Sequence, residues 1–311
     1  MRRIERRDSD QVAALVVESF ADEISLAQLG TSAVQNQVQS ALATARPPAS
    51  LLLRAAGLTF EFWVATDGTR VLGCYALHGR SLVTLANLAV RPDLRGQGIG
   101  RALLNHALDR AHRLGRCSIH LEVLADNEHA VRLYRSAGLQ EYDCRRAYFV
   151  RPNTSILQVP PNPRVRLLPV SRKHVRSWSS VLAASTPPEA FHFANSYRSM
   201  YVSSTLGRWF GERLPLAPVL RRVILVDGEV AGFIAMRVPG RQSVADVQAP
   251  LYMPLAMPVL PDIMRAATQE VSERSTYCRL YVSETRAEGH AAAVQVGYEA
   301  ERLWSYMYRN L

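Results

Sequence analysis

The alternation of apolar and polar residues predicts strands and helices in turn along the first part of the chain. Apolar runs at 62–65 and 71–78 flank Asp67-Gly68, a pair that tolerates the left-handed backbone of a tight turn, so they predict a hairpin. A longer strand is predicted at 82–90. Residues 101–114 repeat apolar positions with the 3.6-residue period of an amphipathic helix.

Three further elements complete a mixed α/β unit within residues 1–150. A strand is predicted at 117–124, and a helix over 127–136 is closed by Gly138, which can take the left-handed conformation that ends helices. The last strand is predicted at 145–150.

The same plan recurs about 160 residues further along the chain. Asp67-Gly68 corresponds to Asp227-Gly228, each a turn followed by an apolar strand, and Gly138-Leu139 corresponds to Gly297-Tyr298. Chance does not keep such a register over half of a chain, so one fold is predicted twice. Each copy opens with a short strand, at 3–5 and 166–168, and a helix, at 9–20 and 171–184.

Four prolines between residues 151 and 163 oppose both helix and central strand, so they mark a linker between the two copies. The predicted organisation is a domain over 1–150, a proline-rich linker over 151–164 and a second domain over 165–311. The fold class is α/β with mixed α+β character. Each of the two tandem domains is expected to have a central mixed, mostly antiparallel sheet flanked by helices.

Composition narrows the class of protein. The chain has 311 residues, of which 48% are hydrophobic and 21% charged, and no apolar run approaches the roughly 18 residues of a membrane helix. The first eight residues lack the apolar core of a secretory signal, so we expect a cytoplasmic location. No metal site or disulfide framework is expected, because no ligand spacing connects the four cysteines, Cys74, Cys117, Cys144 and Cys278.

The formal net charge of +10 comes almost wholly from arginine, since Lys173 is the only lysine. A basic surface favours anionic partners such as phosphorylated cofactors, acidic peptides or nucleic acid. The arginines are spread along the chain and do not cluster with aromatic residues, which argues against nucleic acid. A monomer and a homodimer are both compatible with the sequence.

A glycine-rich segment, Arg95-Gly96-Gln97-Gly98-Ile99-Gly100, lies between a predicted strand and a predicted helix. Glycines let the backbone approach a ligand closely, and the N–H groups that begin a helix bind phosphate oxygens, so we expect a pyrophosphate here. A P-loop does not fit because its lysine is missing. A Rossmann motif fits poorly because the spacing is GxGxG and no suitable acidic residue follows near position 120.

The pattern that fits is R-x-x-G-x-G, carried by Arg95, Gly98 and Gly100 after Leu88-Ala89-Val90-Arg91-Pro92. A second signature comprises Asn127, Ala130, Leu133-Tyr134 and Gly138-Leu139. These two motifs resemble those of the GNAT acetyltransferase superfamily. The resemblance covers residues 1–150. Within the superfamily, the segment is most similar to the branch that acetylates protein N-terminal amines, the ribosomal-protein-alanine N-acetyltransferases.

The resemblance implies two tandem GNAT folds, acetyl-CoA as co-substrate and a set of site residues. Backbone N–H groups of Leu88 and Val90, on a strand splayed from its neighbour, would hold the pantetheine and the thioester carbonyl. Asn127 would hydrogen-bond the pantetheine arm, with a helix N-cap as its alternative role. The pyrophosphate would be held by Arg95, Gly96, Gln97, Gly98, Ile99, Gly100 and Arg101.

Acetyl transfer to an amine needs a neutral nucleophile, a stabilised oxyanion and a proton for the leaving thiolate. Tyr134 matches the family tyrosine that donates this proton, with an ordinary helix-face aromatic as the alternative. Glu122 lies where the N-terminal acetyltransferase branch places a base, with a half-exposed strand carboxylate as the alternative. The glutamate that many members carry in the preceding strand is Thr84 here. The nearby histidines, interpreted as structural or surface residues, are His78, His120 and His129.

The second copy lacks the functional positions of the first. In place of the glycine-rich segment it has Pro254-Leu255-Ala256-Met257-Pro258-Val259, where proline removes N–H donors and no glycine allows close approach. The positions of Tyr134, Glu122 and Asn127 hold Ala293, Tyr281 and Arg286. We therefore expect a degenerate GNAT-like domain that keeps the fold without the phosphate cradle.

The sequence therefore predicts an acetyl-CoA-dependent N-acetyltransferase with its catalytic site in the first domain. A primary amine, at a protein or peptide N-terminus or on a small molecule, would attack directly in a ternary complex. One alternative is a non-catalytic acyl-CoA-binding regulatory protein. Another is an enzyme that modifies aminoglycosides or other small amines, which the basic composition disfavours because an acidic cleft suits such acceptors.

Overall fold

The computed structural model describes most of the chain: residues 1–21, 57–79, 82–151, 158–186, 198–202, 219–238, 244–248 and 250–311, with the single positions 39, 42, 45, 51, 156 and 191. These residues form two compact units, Met1–Glu141 with Ser305–Leu311, and Tyr142–Trp304. In the predicted linker, positions 152–155 and 157 lie outside the described residues. Within the described ranges, every helix falls short of the length and hydropathy needed to cross a lipid bilayer.

The first unit is built on one mixed sheet. Its strands are β1 (Arg2–Arg3), β2 (Thr59–Thr66), β3 (Val71–Gly79), β4 (Leu82–Val90), β5 (Ser118–Leu124) and residues 305–310 of β13 (Glu299–Asn310). They lie side by side in this order. β4 and β5 run parallel, whereas the other pairs among the first five strands are antiparallel.

Helices cover both faces of this sheet because its central strands are apolar on both sides. α1 (Ser9–Ser19) packs on one face, and α2 (Ile99–Arg113) and α3 (Glu128–Ser136) pack on the other. Successive residues of β3 alternate between the two cores: Cys74 is buried beside α1 and Tyr75 beside α2. The amphipathic pattern predicted for α2 is thus the pattern of a helix packed against a sheet.

The predicted hairpin between β2 and β3 forms at Asp67-Gly68. Asp67 Oδ1 accepts hydrogen bonds from the N–H groups of Thr69 at 2.9 Å and Arg70 at 2.8 Å. Gly68 takes a φ of 111°. An aspartate that binds the backbone of its own turn, followed by a glycine in the left-handed region, explains why the strand reverses here.

The second unit repeats this plan. Its strands are residues 142–150 of β6 (Gln140–Val150), β7 (Val165–Pro169), β8 (Val219–Val226), β9 (Glu229–Arg237), β10 (Val244–Val247), β11 (Leu251–Tyr252), β12 (Tyr277–Ser283) and residues 299–304 of β13. Its helices are α4 (Trp178–Ser185), α5 (Arg198–Tyr201), α6 (Leu260–Ser272) and α7 (Ala287–Val296). The sheet order is β7-β8-β9-β10-β12-β6, with β11 beside β9, and β10 and β12 are parallel as β4 and β5 are.

A pair of glycines shows that the repeat extends to packing. Gly73 of β3 lies against β4, where an added Cβ would be 2.8 Å from the carbonyl oxygen of Ala89. Gly232 of β9 lies in the same way against the carbonyl oxygen of Leu251 in β11. Neither position has room for a side chain. β11 is therefore the counterpart of the second half of β4.

The division into units differs from the predicted domain boundaries. Residues 142–150 belong to the second unit, since β6 pairs antiparallel with β12 from Arg145 to Val150. Residues 305–311 belong to the first unit. Prolines after position 151 mark an irregular connection, but they carry no information on which sheet a neighbouring strand joins. The compact units thus differ from the predicted domains 1–150 and 165–311 at residues 142–150 and 305–311.

Candidate active site

A β-bulge bends β4 near its middle. The register with β3 shifts between Cys74 and Ala76, so that Tyr75 stands opposite the pair Asn87-Leu88. Asn87 has a φ of 51°, a left-handed conformation that asparagine accepts more readily than most residues. Such a bulge turns the strand, so the second half of β4 takes a new direction.

A gap opens between β4 and β5 from just before this bulge onward. Their parallel pairing runs from Leu82 with Ser118 to Thr84 with His120. After these pairs, β4 stays paired with β3 up to its last residue, Val90. Among the described residues, this part of β4 has no pairs with β5. This gap is the splay that the resemblance to GNAT enzymes implies.

Two backbone N–H groups of β4 are directed into the gap. Arg91 N donates to Leu72 O of β3 at 3.0 Å. Because successive N–H groups of a strand point to opposite sides, those of Leu88 and Val90 point away from β3, toward β5. The Val90 carbonyl shares this direction and accepts a hydrogen bond from Arg95 Nε at 3.3 Å. A ligand between the strands would therefore meet both predicted donors.

The glycine-rich segment turns the chain from β4 into α2. It follows a short 3-10 helix over Pro92–Leu94, and Gly96 and Gly98 take φ angles of 78° and 83°. A Cβ added at either glycine would meet no atom within 4 Å. The left-handed backbone, and not a lack of space, is therefore what requires glycine at both positions.

The start of α2 presents several backbone donors. Gly98 is the N-cap, and the first helical hydrogen bond runs from Ala102 N to Gly98 O at 3.0 Å. The N–H groups of residues 99–101 precede that bond, and the positive end of the helix dipole lies with them. Arg95, Gln97 and the two left-handed glycines are exposed alongside. An exposed helix start of this kind binds phosphate oxygens.

Gly100 connects the glycine-rich segment to α3. A Cβ at this position would lie 3.6 Å from Leu133 Cδ2 and 3.7 Å from Val90 Cγ2. The first turn of α2, the end of β4 and the middle of α3 therefore meet at one point. Tyr134, the next residue of α3, is 7% exposed and packs in the same core as Leu121 of β5.

Glu122 lies on the other face of β5. Its neighbours Leu121 and Val123 are buried in the core that also contains Tyr134, whereas Glu122 itself is exposed. Side chains alternate between the faces of a strand. The two predicted catalytic side chains therefore lie on opposite faces of the sheet.

Asn127 is the N-cap of α3. Its Oδ1 accepts a hydrogen bond from Ala130 N at 3.1 Å, which is the alternative role that the sequence offers for this residue. Because the cap uses Oδ1, a hydrogen bond from Asn127 to a pantetheine would come from Nδ2.

A row of polar side chains lies beside Glu122. His78 of β3 faces Thr84 of β4, and Thr84 pairs with His120 of β5, so all three share one face of the sheet. His120 is 1% exposed and precedes Glu122 by two residues on that face. Residues two positions apart in a strand lie on the same face of the sheet. The sequence could therefore have shown that His120 lies next to the candidate base Glu122. Among the described residues, no three His, Cys, Asp or Glu side chains form a group able to hold a metal ion.

In the second unit, a tyrosine side chain borders the corresponding gap. Tyr252 pairs with Gly232 as Val90 pairs with Gly73, so Tyr252 is the counterpart of Val90. Its hydroxyl donates to Glu288 Oε1 of α7 at 3.0 Å. The segment Pro254–Val259 that follows is a 3-10 helix with prolines at its start and in its interior. The glycine-lined helix start of the first unit therefore has no counterpart in this described segment.

Comparison with known proteins relates the region that contains these elements to a known family. A family model described as the acetyltransferase (GNAT) family matches residues 36–139. The ribosomal protein bS18-alanine N-acetyltransferase of Escherichia coli (strain K12) is 47% identical over 66 residues, which are 21% of this chain and 45% of that protein. N-alpha-acetyltransferase RimI of Mycobacterium tuberculosis is 47% identical over 62 residues, which are 20% of this chain and 37% of that protein. The chain thus spans less than half the length of these curated relatives.

Two solved structures share the fold over nearly the whole chain. A tandem GNAT protein from the clavulanic acid biosynthesis pathway covers 98% of this chain and 95% of its own, with a TM-score of 0.59 and 17% identity. A GCN5-related N-acetyltransferase from Sphaerobacter thermophilus covers 99% and 94%, with a TM-score of 0.57 and 13% identity. The predicted fold class and the predicted family resemblance are both confirmed. The N-terminal region of this tandem-fold chain contains an acetyltransferase domain of the GNAT family.

Proposed function

We propose that the first unit is an acetyl-CoA-dependent N-acetyltransferase whose acceptor is a primary amine. The observation that carries the proposal is the gap between β4 and β5, with the N–H groups of Leu88 and Val90 directed into it and the start of α2 close to the end of β4. GNAT acetyltransferases act on amine acceptors, and the domain match over residues 36–139 supports the same reaction type here.

The residues present fit acetyl-CoA as co-substrate. Its pyrophosphate suits the donors of residues 99–101 and the left-handed glycines Gly96 and Gly98. Its pantetheine arm carries amide groups, which can bind the outward N–H groups of a strand edge as another strand does. When bound, acetyl-CoA supplies the acetyl group as an activated thioester.

The chain contributes donors for the charge that develops during transfer. The N–H groups of Leu88 and Val90 are proposed to hold the thioester carbonyl oxygen, because both are directed into the gap. Donors fixed in a strand need no reorganisation when the oxygen becomes negative. Arg95, Gln97 and Arg101, all exposed at the start of α2, are proposed to contact the phosphates.

Tyr134 and Glu122 are proposed as acid and base. The carbon–nitrogen bond forms as the amine loses a proton, and the carbon–sulfur bond breaks as the sulfur gains one. Glu122, exposed on one face of β5, would take the proton of an amine that arrives on that face. Tyr134, buried on the other face, would give its hydroxyl proton to the sulfur.

The acceptor is proposed to be a peptide or protein N-terminus. The names of the two curated relatives specify an alanine of a ribosomal protein and alpha-amino acetylation. The second unit is proposed not to bind acetyl-CoA, since prolines replace the glycine-rich segment that would hold the pyrophosphate.

Calorimetric titration and thiol release with matched acceptors test this function. One equivalent of acetyl-CoA should bind per chain, and thiol should appear with a peptide that begins with alanine but not with the same peptide acetylated at its N-terminus. Two equivalents of similar affinity would contradict the assignment of binding to the first unit. Release with an aminoglycoside alone would make the acceptor a small amine. Binding without release for every amine would favour an acyl-CoA-binding regulator.

A further inference from the structure

A cavity of about 150 Å³ lies in the second unit, where β11 and β12 diverge. β12 pairs with β10 through Val247 and Leu280, whereas β11 pairs with β9, which separates the two strands. All of the lining residues belong to the second unit. Met264, Val282 and the ring of Tyr252 are among its walls. A cavity of this size accommodates a molecule about as large as benzene.

The carboxylates in the wall of this cavity already have cationic or hydroxyl partners. Asp143 accepts hydrogen bonds from Arg145 Nε at 2.6 Å and from Ser283 Oγ at 2.7 Å. Glu284 accepts from Arg146 Nε at 3.0 Å and Nη2 at 3.3 Å. Both oxygens of each carboxylate therefore already accept a hydrogen bond from the protein.

Arg286 supplies positive charge with donor capacity to spare. Its Nη2 donates to Ala184 O at 3.4 Å and its Nη1 lies 3.5 Å from Glu288 Oε1, both long contacts, while the guanidinium lies over the ring of Tyr252. A guanidinium has five N–H donors, more than these contacts use. The side chain is 19% exposed, so its charge is partly shielded from water.

Backbone donors at the cavity add to this charge. Arg286 is the N-cap of the ten-residue helix α7, and its carbonyl accepts from Gly289 N at 3.0 Å and His290 N at 3.2 Å. The N–H groups of residues 287 and 288 precede these bonds at the positive end of the helix. Met253 N donates to Ala231 O of β9, so the N–H of Tyr252 points to the opposite side, toward β12.

We propose that this cavity binds a small monocarboxylate with a short apolar tail. The tail suits the walls formed by Met264, Val282 and Tyr252, and the carboxylate suits Arg286 and the start of α7. The site is different from the acetyl-CoA site proposed for the first unit, because every residue that forms it lies within 142–304.

The proposal is tested by ligand-observed NMR of butyrate binding to the full chain. Butylamine and 1-butanol, which have the same apolar tail as butyrate, are the comparison ligands. Butyrate should bind saturably, and the other two should not. Arg286→Gln should weaken butyrate binding roughly tenfold or more, since hydrogen bonds to charged groups are strong. The matched control Arg164→Gln, which removes an exposed arginine of the same unit, should leave it unchanged. Butylamine binding as well as butyrate, equal effects of the two variants or no saturable binding would overturn the proposal.

Two further measurements identify the site and protect the test against misfolding. Thr285→Phe changes an exposed lining residue and should block butyrate by filling the cavity while circular dichroism shows an intact fold. Saturating acetyl-CoA should leave butyrate binding unchanged. Displacement of butyrate by acetyl-CoA, or full binding in a folded Thr285→Phe variant, would show that butyrate binds elsewhere and would overturn the proposal.

Discussion

Tyr134 and Glu122 lie on opposite faces of the sheet of the first unit, the tyrosine on α3 and buried in the core that α2 shares, the glutamate exposed on β5. The separation keeps the proposed proton donor and the proposed proton acceptor from pairing with each other. In the proposed reaction, Glu122 would act on the amine from one side of the sheet and Tyr134 on the leaving thiolate from the other.

Replacing Tyr134 by phenylalanine should slow acetyl transfer without weakening coenzyme binding. Only the hydroxyl is lost, and general acid help is typically worth about 100- to 10,000-fold. Single-turnover rates should fall within that range while calorimetry gives the wild-type affinity for acetyl-CoA. The matched control is Tyr148→Phe, which removes a buried hydroxyl of the second unit and should leave the rate unchanged. A wild-type rate for Tyr134→Phe would remove the acid role.

Replacing Glu122 by glutamine should produce a deficit that shrinks as pH rises. The base is needed only while the amine is protonated. With an N-terminal amine, whose pKa is near 7.7 to 8.0, the rate deficit should therefore disappear at a lower pH than with a lysine-like amine, whose pKa is near 10.4. The pH profile of kcat/KM for both acceptor types measures this. Glu128→Gln changes an exposed glutamate of α3 and should show no deficit. A deficit that stays constant with pH would exclude Glu122 as the base.

Gly98→Val should abolish most acetyl-CoA binding because valine resists the left-handed backbone that exposes the donors of α2. Gly115→Val is a matched control, since Gly115 is also left-handed, with φ of 65°, and has equally open surroundings at the other end of α2. Both variants should lose roughly 1–2 kcal/mol of stability from the unfavourable dihedrals. Calorimetry should show the loss of binding in Gly98→Val alone. Equal loss in both variants would indicate a general effect on the helix.

The buried carboxylate of Glu61 should make the stability of the fold depend on pH. It accepts from Arg110 Nε at 2.7 Å and Nη2 at 2.6 Å, from Trp63 Nε1 at 3.0 Å, and from Arg3. Burial raises the pKa of Glu61, but the hydrogen bonds from Arg110 and Trp63 and the charges of Arg110 and Arg3 outweigh it, so the pKa lies below its usual value. A lowered pKa in the folded state stabilises the fold above the unfolded value of about 4.3, and this contribution is lost as pH falls through the folded value.

Glu61→Gln should therefore lower the free energy of unfolding by about 3–5 kcal/mol at pH 7, because Arg110 is left without its charged partner. Urea unfolding between pH 7 and pH 3 should show the wild type approaching the variant at the acidic end. A difference between the two proteins that does not change over this range would contradict the account.

The fold follows from sequence wherever the signal is local. The turn at Asp67-Gly68 and the strand at 82–90 have the predicted positions, because turn chemistry and side-chain alternation act between neighbours. The helix predicted at 171–184 is instead a 3-10 helix over His174–Ser177 followed by α4, since apolar spacing barely distinguishes the two helix types. The sheet that 145–150 joins is set by distant pairing partners, which no local pattern specifies.

The local backbone of the candidate site is predictable from the sequence, and the wider geometry of the site is less so. The glycine-rich segment has the left-handed backbone that its composition suggests. The gap, however, depends on a bulge at Asn87, which the pattern of the neighbouring residues does not predict. A comparison of the two copies at a fixed offset also does not align Tyr252 with Val90. The two residues are 162 positions apart, whereas the turn pair recurs after 160 positions. A short insertion before β11 is enough to hide the correspondence.

Single-turnover transfer of an isotopically labelled acetyl group is the most direct test of the proposed activity. The full chain, loaded with labelled acetyl-CoA, would be mixed with a peptide that begins with alanine, and the label located by mass spectrometry. We predict label on the N-terminal nitrogen, one acetyl for each thiol released, in wild type and Gly115→Val but not in Gly98→Val. Label that stays on bound coenzyme with this peptide and with every other amine supplied would contradict the account.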